Sequence, residues 1–398
     1  MTGLQAAGPV LAGVRVLDLT RLLPGNYATL VLYGLGAEII KVEDAAGDGT
    51  RYAPPLASTS ESGPDLVLNR GKGSISLDLK RPEAQQLLLE LVAGSAVVVD
   101  SFRPGVLDRL GLGPAALAEA NPKLVHVSIT AYGEGGPDVA LAAHDLNAQS
   151  LAGLLSLATD SDGAPEVPAV TVADLASGMQ AALAVLAGLR AVDRGSAGYR
   201  ANIAMSDSAL AFTGLAAGHL AAGNDTLPAT PDMLTGALAC YGVYRCADDG
   251  WLAVGGLESK FFSRMCEVLG RPELASWQYD LARQVELRDQ LAAVFLTRGR
   301  DEWSALLRPA DTCVTPVNNL AEAFAEAYAV QRGVVVAARL ADGREVPVVR
   351  AVPWLPEVAA PAGLSLLGGD AERLLRPLGI SAAEVAQLRE TGIVGGTS

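Results

Sequence analysis

Three observations predict an α/β fold organised around a parallel sheet. Short β-branched runs alternate with helical patterns through the first 130 residues, half of the 398 residues are hydrophobic, and only 5% are aromatic. The length exceeds one average domain, so two domains or one large fold with a substantial insertion are expected.

In order, residues 14–19 read as a buried strand, 26–35 as a helix and 38–42 as a second strand. A helix follows at 82–93, with Pro82 suited to its first position, then strands at 96–99 and 124–129. Pro104-Gly105 and the Gly111 to Pro114 stretch punctuate the loops after the 96–99 strand. In open parallel sheets ligands collect beyond the carboxyl ends of strands, so the loops after Val99 and Ile129 are the first places to look for a site.

The pattern turns helical over 145–194, and 205–222 reads as one strongly apolar helix that needs a partner surface. Residues 224–235 hold two prolines and little periodicity, as a crossing linker would. A hairpin is expected from 240–245 and 251–254 around Asp248-Asp249-Gly250. Helical patterns follow at 260–269, 285–296 and 301–307, strand-like segments at 333–339 and 345–349, and a last helix at 382–391.

Acidic residues outnumber basic ones 44 to 30, for a formal charge of −14 and a pI near 4.7. That field disfavours nucleic acid, and any anionic ligand must be met by a few local cations. Cys240, Cys246, Cys266 and Cys313 form no Cys-x-x-Cys pair and read as buried thiols of a reducing compartment. Uncharged runs such as 208–224 fall short of the roughly 18 apolar residues a bilayer span needs, so no membrane association and a cytoplasmic protein are expected. Gly133-Glu134-Gly135-Gly136 lacks the spacing of a dinucleotide loop, and no Walker A, Gly-x-Ser-x-Gly or His-Glu-x-x-His motif occurs. No metal site is expected.

Of the three histidines, His126 lies inside an apolar strand and reads as structural, and His219 in the apolar 205–222 segment reads as a packed or interface side chain. His144 follows a Gly-rich loop and opens a helix, so it is either catalytic or a helix-terminal cap. Asp174 precedes the uncharged helical stretch 175–189 and Glu258 follows Gly255-Gly256-Leu257, and each is either an N-cap or a functional carboxylate. Arg103, in Ser101-Phe102-Arg103-Pro104-Gly105, stands at the carboxyl edge of the sheet, to grip a phosphate or carboxylate or to brace the loop.

These segments resemble the family III CoA-transferase (CaiB/BaiF) group over nearly the whole chain: residues 11–18, 102–114, 143–147, 255–262 and 311–317. Within it the α-methylacyl-CoA racemases are the closest fit, through Ala143-His144-Asp145-Leu146-Asn147 and the Gly-x-x-Glu-x-x-Phe of Gly255 to Phe261. The resemblance implies a Rossmann-like large domain, a smaller α+β domain and an interlocked homodimer with active sites between subunits. Its segments would be a CoA-binding large domain at 1–223, a small domain at 224–330, and a return to the large domain at 331–398. The implied substrate is an acyl-CoA, with coenzyme A part of the substrate and no catalytic cofactor. His144 and Asp174 are the implied bases and Glu258 orients His144. Arg103, Arg109, the backbone of Leu77, Asp78, Leu79 and Lys80, and Ala143, Asp145, Leu146, Asn147 and Ala148 are the implied CoA contacts. Arg70 and Lys72 are added as phosphate partners on charge alone. Two positions depart from the racemase pattern: Asp44 stands where some racemases have arginine, and Val170 where they have asparagine. In the transferase branch Asp174 would instead be a nucleophile forming an aspartyl-CoA thioester, so two reactions follow: epimerisation of a 2-methylacyl-CoA through an enolate, or CoA transfer between carboxylic acids.

Overall fold

The computed structural model describes residues 8–160, 162–223, 232–355 and 363–396. They fall into two compact units, one from the described parts of Met1–Ala217 and Ala327–Ser398, the other from Gly218–Glu326.

The first unit is built on strands β1 (Arg15–Leu19), β2 (Glu38–Glu43), β3 (Gly73–Leu77), β4 (Val97–Asp100), β5 (Val125–Thr130) and β6 (Tyr199–Ala204). They interleave with helices α1 (Leu22–Gly34), α2 (Gly63–Asn69), α3 (Pro82–Ala93), α4 (Val106–Arg109), α5 (Pro114–Ala120), α6 (Asp145–Leu151), α7 (Val172–Asp193) and α8 (Met205–Ala211). The seventh strand of the sheet, Val394–Gly395, comes from the end of the chain, and the spatial order is (394–395)-β3-β2-β1-β4-β5-β6. All pairings are parallel except that of Val394–Gly395 on β3. Side chains alternate across the sheet as strand geometry requires. Val16, Val97, Val99, Val125 and Val127 pack under α1 and α7, whereas Leu17, Ile40, Ile75 and Val98 pack on α3 and two C-terminal helices, Ala371–Leu375 and Ala382–Glu390.

From β1 the chain steps outward through β2 and β3, and from β4 it steps the other way through β5 and β6. β1 and β4 are neighbours, so the strand order reverses between them. Connections leaving a parallel sheet in opposite directions splay apart at such a point and leave a crevice at the strands' carboxyl ends.

The helices and strands expected over residues 14–42, 82–99 and 124–129 are present within a few residues. β3 and β6 were not expected from hydrophobic pattern. β3 carries Ser74 and Ser76 at buried positions, and β6 is a partly exposed edge strand with Arg200 and Asn202 on it. The segment 205–222 is two helices, α8 and Gly214–Ala221, interrupted at Phe212-Thr213, rather than one. Most of the linker expected at 224–235 lies outside the described residues.

α7 is long and apolar enough by length and composition to cross a membrane, a feature the sequence reading had not marked. Here Ala173, Ala176, Ala181, Ala182 and Val185 are buried in the core beside α1, β5 and β6. A Cβ on Gly178 would come within 2.5 Å of the Pro24 carbonyl oxygen, so this glycine is what lets α7 rest directly on the first turns of α1.

In the second unit, strands β7 (Tyr241–Arg245), β8 (Trp251–Gly255) and β9 (Val314–Pro316) form an antiparallel sheet, joined between β7 and β8 by the turn in which Asp249 adopts φ 63°. Phe262, Leu287, Leu291, Phe295 and Trp303 fill its core. Cys240, Cys246 and Cys266 are buried there, but Cys313 is exposed, because it sits at φ 55° in the turn before β9. A separate hairpin, β10 (Val335–Arg339) with β11 (Glu345–Val349), belongs to the first unit.

Gly178→Ala must push α7 off α1, and overpacking of that kind costs about 1–3 kcal/mol. Chemical denaturation of the variant should show that loss, whereas Gly195→Ala, at an uncrowded turn glycine whose φ is also positive, should show only the smaller penalty of the left-handed backbone.

Candidate active site

The site begins with how α1 is held. Its entry is unusual: Leu22 has φ 62°, in the left-handed region that disfavours a branched side chain, and α1 has no side-chain cap on Arg21. The buried Asp48 carboxylate compensates by accepting the Leu22 N–H at 3.2 Å, the Thr50 N–H at 2.9 Å and Asn26 Nδ2 at 2.9 Å. Lys41 lies 2.9 Å from Asp48 and also donates to the Thr20 carbonyl and to Asn26 Oδ1. Burial works against ionising Asp48, but Lys41 and these donors outweigh it and hold the carboxyl well below its ordinary value.

Lys72 is 3% exposed and donates to Asp18, Thr29, Asn69 and the Asn26 carbonyl. Burial, set against Asp18 and reinforced by Lys41, brings its ammonium down to about 8. Arg70 is also buried, its guanidinium on the carbonyls of Val67 and Val349. Both are buried cations bonded to protein acceptors and neither lines the cleft where the strand order reverses, so the structure gives no support to the expectation that Arg70 and Lys72 are phosphate partners.

A cleft of about 650 Å³ opens where the strand order reverses. Arg21, Leu22 and Pro24 border it after β1, Ser101 to Pro104 after β4, Ile129 to Ala131 at the end of β5, and Met205 after β6. Ser101 Oγ accepts the Arg21 N–H at 2.9 Å and so bridges the two diverging connections. Val139, Leu141, Ala142, Ala143, His144, Asn147 and Asp174 complete the lining. Five of the expected residues, Arg103, Ala143, His144, Asn147 and Asp174, thus share one cleft.

His144 stands at the extended N-cap position of α6, where the Asn147 side chain accepts its backbone N–H at 3.0 Å. Its imidazole is exposed and makes no hydrogen bond among the described residues. Asp174 is not an N-cap, because α7 starts three residues earlier than expected, at Val172, and Asp174 is the third residue of the first turn. Its backbone N–H, one of the donors a helix start leaves unpaired, is taken by Asp145 Oδ1 at 3.1 Å. Asp145 Oδ2 accepts Gln149 Nε2 at 2.6 Å. Burial first, and the neighbouring Asp145 carboxylate second, push the Asp174 carboxyl up to about 7. Such a group can either hold or give up a proton near neutral pH.

Arg103 and Arg109 are exposed and make no ion pair among the described residues, and Arg103 lines the cleft while Arg109 does not. Of the 143–148 segment Ala143, His144 and Asn147 line it; Asp145 and Ala148 are buried behind the wall and Leu146 is outside it. Leu77, Asp78, Leu79 and Lys80 follow β3, two strands away from β1, and do not line the cleft, Leu77 being 1% exposed in the core. Glu258, in the second unit, holds the N-cap position of the helix Ser259–Val268 without capping it, and its carboxylate is exposed. Asp44, exposed, pairs with Arg21. Arg21 and Leu22 were missed by the sequence reading, although they directly follow the first strand. Their importance depends on which strand lies beside β1. Among the described residues no cluster of three or more His, Cys, Asp or Glu side chains is placed to hold a metal ion.

A switch-point cleft with a free arginine, a histidine and a proton-holding aspartate defines a site for acid–base or acyl chemistry on an anionic ligand. The chain belongs to CoA-transferase family III, whose profile matches residues 11–363. It is 31% identical over 391 residues to the α-methylacyl-CoA racemase of Mus musculus, covering 97% of each chain. It is 34% identical over 336 residues to the succinyl-CoA:glutarate CoA-transferase of Mus musculus, covering 82% of this chain and 76% of that one. Among solved structures, a CAIB/BAIF family protein from Brucella suis superposes with a TM-score of 0.79 at 26% identity, over 92% of this chain and 99% of that one.

The two kinds of cation should separate experimentally. Lys72→Met leaves Asp18 short of a buried partner and should cost about 3–5 kcal/mol of stability. Arg103→Gln, at an exposed position, should change stability by less than about 0.5 kcal/mol while weakening coenzyme A binding in calorimetry.

Proposed function

We propose that the protein epimerises the α-carbon of 2-methylacyl-CoA thioesters by two-base proton transfer, without a catalytic cofactor. The observation that carries this reading is the Asp174 carboxyl, poised at about 7 in the same cleft as His144. One of the two removes the α-proton and the C–H electron pair moves onto the thioester oxygen. The other delivers a proton to the opposite face as that pair returns, so no atom is gained or lost overall. The pair must hold one proton between them at the start of each turnover. Backbone N–H groups at the start of α6 are the candidate donors to the enolate oxygen.

Arg103 meets the phosphates of coenzyme A in this reading, with Arg109 as a further contact. Leu22, Pro24, Ile129, Val139, Leu141 and Met205 give the acyl chain an apolar wall. The resemblance supplies Glu258 as the residue that orients the imidazole, within a homodimer. The exposed apolar side chains of Leu183, Leu210, Phe212 and Leu215 support a partner copy.

CoA transfer between carboxylic acids is the second reading, supported by the transferase among the similar proteins and by the same aspartate, which is partly ionised near neutrality and so retains a nucleophilic fraction. That reaction consumes a second carboxylic acid, and epimerisation does not.

A single epimer of a 2-methylacyl-CoA incubated in deuterated buffer without added acid should gain α-deuterium and lose stereochemical purity by NMR, and His144→Ala should abolish both. Turnover that requires an added acceptor acid would replace this reading with the transferase. The aspartate also has a signature in stability. Because folding raises its carboxyl from 3.8 to about 7, the folded chain binds more protons than the unfolded one between those values, and stability falls as pH rises through that window. Asp174→Asn should therefore melt higher than the native protein at pH 8, with the difference vanishing near pH 4, while losing activity.

A further inference from the structure

Behind the cleft wall, where the last residue of β4 lies beside the middle of β5, three buried side chains converge. Asp100 is 2% exposed, and His126 and Ser128 are 5% exposed. Asp100 Oδ2 accepts Ser128 Oγ–H at 2.8 Å and meets His126 Nε2 at 2.7 Å. A carboxylate only accepts, so the imidazole proton sits on Nε2; Nδ1 is buried with no partner, leaving Asp100 as the ring's one strong anchor. The other oxygen, Oδ1, accepts the Phe102 N–H at 3.0 Å. No lysine or arginine lies within ion-pair distance of Asp100 among the described residues.

This carboxylate is thus the joint between the two strands and the loop Ser101 to Pro104. That loop is a thin partition: Phe102, Arg103 and Pro104 line the cleft on one side and, on the other, a second cavity of about 210 Å³ bordered by Asp100, His126 and Ser128. Space on both sides means that packing alone does not fix the loop. Its hydrogen bonds do, through Ser101 to Arg21 and through Asp100 to Phe102.

We propose that His126, acting through Asp100 together with Ser128, is a positioning residue for acyl-CoA binding: it locks the carboxylate that holds Phe102 and thereby aims Arg103 into the cleft. The proposal rests on the reading of the cleft as an acyl-CoA site but not on which reaction occurs there. Arg103 is exposed and has no ion-pair partner among the described residues, so the loop backbone that carries it sets the point from which its guanidinium reaches into the cleft.

The test uses the full chain and free coenzyme A as the probe, in titration calorimetry, with acyl-CoA turnover measured in parallel. His126→Leu should weaken coenzyme A about tenfold, the equivalent of one charge-assisted contact, and raise KM by a similar factor with kcat within about twofold. His126→Gln, which keeps a donor toward Asp100, should return binding to within about threefold of the native value. Arg103→Gln combined with His126→Leu should bind no more weakly than Arg103→Gln alone, because both act on one contact. Additive losses, native affinity in His126→Leu, or a fall in kcat at unchanged KM would overturn the proposal. Should His126→Leu fail to fold, Ser128→Ala carries the test: a loss of about threefold supports the device and native affinity refutes it. Failure of the racemase reading would appear only in the deuterium experiment and would leave these affinities unaffected.

Discussion

The cleft depends on a charge arrangement that never meets solvent. Lys41, 1% exposed, lies within ion-pair distance of both Asp18 and Asp48, and Lys72 meets the same Asp18 oxygen, Oδ2, at 3.3 Å. Burial opposes every one of these charges, yet the mutual attraction holds Asp18 below and Lys41 above their ordinary values. Through Asp48 and Asn26 the same groups fix the backbone of Leu22 and the first turn of α1. α1 in turn supports α7 at Gly178, one helical turn beyond Asp174 on the same face. The position of the Asp174 carboxyl is therefore set from beneath by ion pairing and close helix contact.

This chain of support explains what could and could not be read from the sequence. The apolar strands β1, β2, β4 and β5, and the helix Pro82–Ala93, were visible because hydrophobic periodicity produced them. β3 was hidden because one of its two buried faces is polar: Ser74 bonds to Glu43 rather than to an apolar neighbour. Arg70 and Lys72 looked like ligand cations for the same reason. Charge in a sequence is normally solvent-facing, and nothing local announces that Asp18, Thr29 and Asn69 will surround Lys72. His144 and Arg103 were found because they lie at loop positions next to recognisable elements, whereas Arg21 and Leu22 acquire meaning only from strand order. The family likeness named Asp174, but its raised pKa arises first from its burial and second from Asp145, placed beside it by the contact between α6 and α7.

The same aspartate suits two reactions in one family because its environment is intermediate. It is shielded and faces a like charge, so it keeps a proton readily; it also lies on an open cleft, so it can meet a carbonyl carbon. Under the two proposed readings, the neighbour that joins it in the cleft selects the outcome: a histidine that exchanges protons, or a second carboxylic acid that accepts coenzyme A. In this chain the histidine is present and without a competing hydrogen bond among the described residues.

Val394 and Gly395 seal the outer edge of β3, and Asp78 donates its backbone N–H to Ile393. A strand near residue 75 is thus completed by one near residue 395, with the residues of the second unit between them in the chain. During synthesis the nascent sheet keeps that flank uncovered until Val394 and Gly395 have emerged. Removing those two residues would leave the edge open for good, ready to recruit a strand from a neighbouring molecule.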